Sequence, residues 1–244
     1  MNVLALVGML RWMRACLLVL ALFVIAAPTS CGLLRTKAQQ REYTLVYLKT
    51  GPAKDLSKDA QAAAFAGHFA NMNRLAREGR LLMAGPFGKQ RSDASLRGLF
   101  VLATDDVTTA QQWASTDPAV QAGVFTIECH ALRTDAALPQ FLAAELARED
   151  ADKAAGRTQE LGETIRGYAL LVADDFAQML AAIDGRREAL LIGRLDGSRG
   201  FAVVNCVDRV AAEEAFASLR TDLGAHRFEE WFASKGFEQL PSMR

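Results

Sequence analysis

Three histidines (His68, His130, His226) and four cysteines (Cys16, Cys31, Cys129, Cys206) are the side chains best suited to proton transfer, metal binding or nucleophilic attack. They are scattered. No CxxC and no HxxxH spacing occurs, so no metal centre and no cofactor is expected. His68 stands out by its setting. It falls three residues after Phe65 and four before Met72, which at helical spacing places it on an apolar face turned toward a sheet. A partly desolvated imidazole with a carboxylate beside it suits a general base working near neutral pH. The plainer reading is a core histidine bound to a backbone carbonyl. Asp117 precedes Pro118, the arrangement of a helix N-cap with proline at the first helical position. Ser92, Ser95 and Ser115 sit in no nucleophile elbow, and Gly85 with Gly88 makes no phosphate loop.

Composition narrows the class. The chain has 244 residues, 51% hydrophobic and 23% charged, the balance of a folded globular protein. Lys+Arg and Asp+Glu both number 28, so there is no basic excess of the kind a nucleic-acid binder needs. Residues 1–30 hold two bases, Arg11 and Arg14, and no acid, followed by a 13-residue apolar run over 15–27. As a helix that run is about 20 Å long, short against a hydrocarbon core of about 30 Å. Basic flank, short apolar run and small residues form a signal-peptide pattern. The stretch APTSCG (residues 27–32) resembles a bacterial lipoprotein cleavage box, with Cys31 as the lipid carrier and Pro28 where such boxes prefer a branched aliphatic. Ordinary cleavage near Ala26 or Ala27, or an uncleaved anchor, are the alternatives. The expected address is the cell envelope, with membrane attachment through the N-terminal segment or a lipid on Cys31. Cys129 and Cys206 each lie in an apolar strand-like run, where buried free thiols are expected, although export would permit a disulfide.

The elements that must position His68 follow from periodicity. Strands are predicted at 43–48, 80–84, 99–103 and 124–130, and helices at 59–78 and 106–115. The order β-α-β-β-α-β is the ferredoxin-like unit. A polar stretch over 133–163 reads as a linker with an exposed helix at 140–155. The pattern then returns, with strands at 168–172, 189–193, 200–205 and 237–240 and helices at 174–183 and 211–219. Arg97-Gly98 and Arg199-Gly200 open the third strand of each half, and Gly123 parallels Gly236 before the last. The chain thus reads as a tandem duplication. Each unit leaves one sheet face bare, and 80–90 residues make a marginal lone core, so the two are expected to cover each other.

The stretch HFANMNRLAREGRLLMAGPF (residues 68–87), with Arg97-Gly98, Asp117-Pro118 and Gly123, resembles the YCII-related family over residues 42–132. The resemblance implies a dimeric α+β barrel: here, two ferredoxin-like βαββαβ units packed sheet to sheet within one chain. It also implies small-molecule chemistry on a His–Asp pair, for which His68 matches the family histidine and Asp117 is the best-placed partner. Arg80 lies in the second strand, where some members carry an acidic group; with Tyr47, Gly85 and Pro86 it completes the expected ligand-contacting set. Aligning Gly85 with Gly193 puts Phe176 where the second half would carry its histidine, so only the first half holds a site of this type.

The domains expected are therefore a signal segment at 1–30, a YCII-like domain at 42–132, a helical linker at 133–163 and a degenerate second copy at 164–244. The expected function is binding of a small organic molecule by an exported, plausibly monomeric protein, with acid–base catalysis at His68 and Asp117 as its extension. The alternative is an envelope lipoprotein that uses the barrel for protein contacts and catalyses nothing.

Overall fold

In the computed structural model, residues 40–157 and 161–243 are described. The expected signal segment and Cys31 lie outside them. Among the described residues no helix is long and apolar enough to cross a membrane.

The first half runs β1 (Arg41–Thr50), α1 (Lys58–Arg77), β2 (Leu81–Pro86), β3 (Leu96–Leu102), α2 (Val107–Ala114), the single turn α3 (Pro118–Gln121) and β4 (Phe125–Thr134). Helix α4 (Leu138–Ala154) leads into the second half: β5 (Ile165–Ala173), α5 (Phe176–Ile183), β6 (Ala189–Leu195), β7 (Arg199–Val204), α6 (Arg209–Ala215) and β8 (His226–Ser234). Caps are local and sequence-encoded. Ser57, Asp106, Asp117, Asp175 and Asp208 each accept a backbone N–H in the first turn of the helix that follows.

All strands pair antiparallel in one eight-stranded sheet ordered β2-β3-β1-β4-β6-β7-β5-β8. Each half contributes four neighbouring strands in the same relative order. The halves join where Leu132–Thr134 of β4 meet Gly193–Leu195 of β6. At the opposite seam a Phe87–Trp231 bridge brings β2 back to β8, so the sheet curls into a nearly closed barrel. The expected α+β barrel is the architecture observed, with the two four-stranded layers also meeting edge to edge.

Period-two alternation divides the core. Leu45, Leu99, Val101, Leu170, Phe201 and Trp231 point into the barrel and are at most 2% exposed. Val46, Leu48, Phe100 and Leu102 face outward onto α1–α3. Ala169, Leu171, Ala202 and Val204 do the same against α5 and α6.

Three expectations need correction. The last strand is not 237–240: Lys235–Met243 is a 3-10 segment, and β8 lies upstream at His226–Ser234. Trp231 and Phe232 are therefore strand residues. The glycine that parallels Gly123 is Gly224, not Gly236. Both take left-handed backbone just before a final strand, at φ 70° and 63°. Helix α4, expected as an exposed linker, buries Leu138 and Phe141 in the barrel core beside Phe237 and Leu240 and so plugs one end. Cys129 and Cys206 are free thiols.

Candidate functional site

The predicted residues divide between the two faces of the sheet. On the helix side, His68 Nδ1 lies 2.5 Å from Asp117 Oδ2. They meet because Gly67 has no side chain where α1 crosses α3; a Cβ there would sit 2.8 Å from Pro118. Asp117 does two jobs at once. Its Oδ1 accepts the Ala119 N–H at 2.9 Å as the N-cap of α3, while Oδ2 holds the imidazole. The pair is enclosed. Asp117 is fully buried and His68 is 7% exposed. The imidazole stacks on Phe100 at 5.9 Å and meets Phe69 and Phe125 edge-on at 5.3 and 5.4 Å. Nε2 makes no hydrogen bond among the described residues. None of the three cavities described below has His68 in its wall.

The other expected contacts lie elsewhere. Tyr47 points into the barrel, on the opposite face of the sheet from His68. Arg80 stacks over Trp113 at 4.9 Å and pairs with Glu78 at 3.2 Å. Gly85 and Pro86 border the seam. The Gly85 carbonyl accepts the Trp231 indole N–H at 3.0 Å, and a Cβ on Gly85 would fall 1.9 Å from the Phe232 carbonyl oxygen. What approaches the backbone there is another strand. Phe176, the counterpart of His68, opens α5 and packs in the second-half core beneath the Arg194 guanidinium.

The barrel end opposite α4 is polar, and a cavity of about 250 Å³ opens there. Its floor is apolar, formed by Phe87, Leu96, Leu170 and Val172. Tyr47, Lys49, Glu128, Arg199, Arg227 and Glu229 form the walls, with Ser92 and Asp93 of the β2–β3 loop beside them. Register explains the convergence: Glu128 pairs with Tyr47 across β4 and β1, Glu229 with Leu170 and Arg227 with Val172 across β8 and β5. Directly opposed residues share a face.

The charges of this mouth are knotted together. Lys49 Nζ lies 2.5 Å from Glu128 Oε2. His130 stands between two carboxylates: its Nδ1 is 2.7 Å from Asp196 Oδ2, and its Nε2 is 2.9 Å from Glu128 Oε1, close but not aligned for a hydrogen bond. Arg199 reaches Asp196 at 2.5 Å. Glu229, 2% exposed, accepts from the Ser92 amide and hydroxyl and from Arg227 Nε. The β2–β3 loop is thereby strapped to β8.

The electrostatic consequences follow from burial and pairing. The Lys49 ammonium, with His130 beside it, holds the Glu128 carboxyl below the usual range against the pull of burial. Burial acts to raise Asp196, but hydrogen bonds from Arg199 and His130 outweigh it and the net direction is down. Burial pushes the Tyr47 phenol up to about 12, against the opposing influence of Arg227 and Arg199. Of these residues only Tyr47 was expected at a site from the sequence; His130 and Arg199 were noted there without such a role.

Two further cavities are of other character. One of about 320 Å³ is mostly apolar and lies along the seam between α1, β2, α4 and the C-terminal 3-10 segment. The other, about 300 Å³, lies between α6 and β8 around His226.

A curled antiparallel sheet with helices on its outer face defines an α+β barrel of the ferredoxin-like kind. Residues 43–128 match the family model of the YCII-related domain. No curated protein matches the sequence.

Proposed function

We propose that this chain binds a small organic molecule in the polar mouth of its barrel. The observation that carries the reading is the 250 Å³ cavity, where an apolar floor meets converging polar groups. That combination is what orients a small ligand, and the volume falls just below the range of drug-sized sites. A thermal-shift screen of small metabolites against the full chain tests it, since a ligand of the folded state raises Tm by mass action. A rise that Tyr47→Phe diminishes supports the reading. Hits that leave the Tyr47→Phe chain shifted as before place the ligand elsewhere and overturn it.

A second reading, acid–base chemistry at His68, is favoured by the 2.5 Å contact with Asp117, which fixes the ring and leaves Nε2 without a hydrogen bond. Acylation of imidazoles in the folded chain, mapped by peptide mass, tests whether Nε2 can reach a substrate. Modification of His68 supports this reading; a modified His226 beside an untouched His68 removes it.

The address belongs with the proposal. Residues 1–30 act as an export signal and Cys31 receives a lipid, as the basic flank, short apolar run and small-residue box suggest. Cys31→Ala should abolish lipid labelling and membrane retention. Unchanged retention and processing would refute lipidation.

A further inference from the structure

The chain has three tyrosines, Tyr43, Tyr47 and Tyr168, and all are buried. Two of their hydroxyls are satisfied: Tyr43 donates to the Ala136 carbonyl at 3.2 Å and Tyr168 to the Ser234 carbonyl at 2.9 Å. Tyr47, only 6% exposed, has no such partner among the described residues, and its ring lines the mouth cavity. Its ring is buried but its hydroxyl opens on the cavity, where it is free to donate to a ligand acceptor.

The neighbouring groups show which way the imbalance runs. Arg227 spends its Nε–H on Glu229, and Arg199 spends one terminal nitrogen on Asp196. The remaining guanidinium N–H groups of both have no hydrogen-bond partner among the described residues. Most wall acceptors are already engaged. Both oxygens of Glu229 accept from Ser92 or Arg227, Glu128 Oε2 takes Lys49 while its Oε1 faces His130, and Asp93 Oδ1 accepts the Ser95 amide. Formal charges in the wall cancel, Lys49, Arg199 and Arg227 against Asp93, Glu128 and Glu229, yet uncommitted donors outnumber uncommitted acceptors. A cationic ligand would find few acceptors left, chiefly on the exposed Asp93, whereas an acceptor-rich one would complete the donors.

We propose that the mouth takes a small organic acid, its carboxylate received by the Tyr47 hydroxyl and the uncommitted N–H groups of Arg199 and Arg227; this rests on the mouth being the ligand site. A planar carboxylate accepts from a guanidinium fork with matched geometry. Phe87, Leu96, Leu170 and Val172 give the ligand's carbon skeleton an apolar floor, which a bare inorganic anion would not use.

The test uses the full chain and acid–amide pairs of matched shape: benzoate, butanoate and 2-hydroxypropanoate, each against its own amide, with inorganic phosphate alongside. Binding is followed through the side-chain resonances of Tyr47 and Arg227. The account predicts that at least one acid shifts both resonances and binds roughly tenfold or more tightly than its amide, the ratio expected for one hydrogen bond to a charged group. Tyr47→Phe, which keeps the ring, should weaken the acid by a similar factor. Arg227→Gln provides a second variant that still offers Glu229 a donor. Amides that bind as well as acids overturn the acid class and leave the ligand site standing. Phosphate binding in preference to every organic acid also overturns the class. Failure of all compounds to move either resonance overturns both the class and the site.

Discussion

Asp117 serves as a helix cap and as the buried partner of His68. Removing it therefore does two kinds of damage. A lost N-cap costs about 1 kcal/mol, and a buried imidazole left without its partner costs about 1–3 kcal/mol. Asp117→Ala should thus lower stability by about 2–4 kcal/mol in urea unfolding, with Asp117→Asn between it and the parent. No change would mean the pair is not formed. Tyr47 gives a second residue-scale expectation. Its folded pKa is raised by burial from 10 to about 12, so the folded state resists ionisation that the unfolded state accepts. Stability tied to this phenol is intact below pH 10 and is lost as pH rises toward 12. Phenolate absorbance at alkaline pH should accordingly lag behind that of free tyrosine and jump on unfolding. The carboxylates work the other way. Glu128 and Asp196 are lowered, so their contribution holds above the ordinary carboxylate range and fades as pH falls through their depressed folded values. Melting temperatures should be higher at pH 6 than at pH 3, and Glu128→Gln should narrow the gap.

At the scale of elements, the seam between β2 and β8 depends on two residues. Gly85 lets the Phe232 carbonyl approach, and Trp231 donates across the gap to Gly85. Gly85→Ala forces a Cβ into that space and should cost about 1–3 kcal/mol, as overpacking does. Trp231 fluorescence should shift to the red as the indole loses its enclosure, while a near-parental spectrum would contradict a close-packed seam. The elements also show what was legible in the sequence and what was not. β1 was plain from Tyr43 to Leu48, since the stretch is rich in β-branched and aromatic residues. The cap at Asp117 was readable because capping is local. β8 was missed. Along its inward face Arg227 and Glu229 are charged, whereas Trp231 and Ala233 are apolar. The strand crosses from mouth to core, and its hydrophobic alternation breaks where it lines the cavity. The residues that hid the strand are those that form the candidate site. His130 was seen but not used, because its partner Asp196 is 66 residues away and meets it only when β4 pairs with β6.

For the whole molecule, the polar mouth exists only because eight strands close on one another. Tyr47, Lys49 and Glu128 come from the half that the YCII-related family model matches, and Arg199, Arg227 and Glu229 from the other. Neither half alone holds the cavity, and each would leave its inward apolar face in water. The common strand order of the two halves is what a diverged duplication would leave, and we propose that origin for the second half. Closure of the barrel is thus the claim on which the ligand site depends. Cross-strand nuclear Overhauser effects at its two seams test it most directly. The account predicts contacts between the backbones of Phe87 and Trp231 and between those of Arg133 and Arg194, together with the pairings inside each half. Intact pairings within each half, with none at either seam, would contradict it.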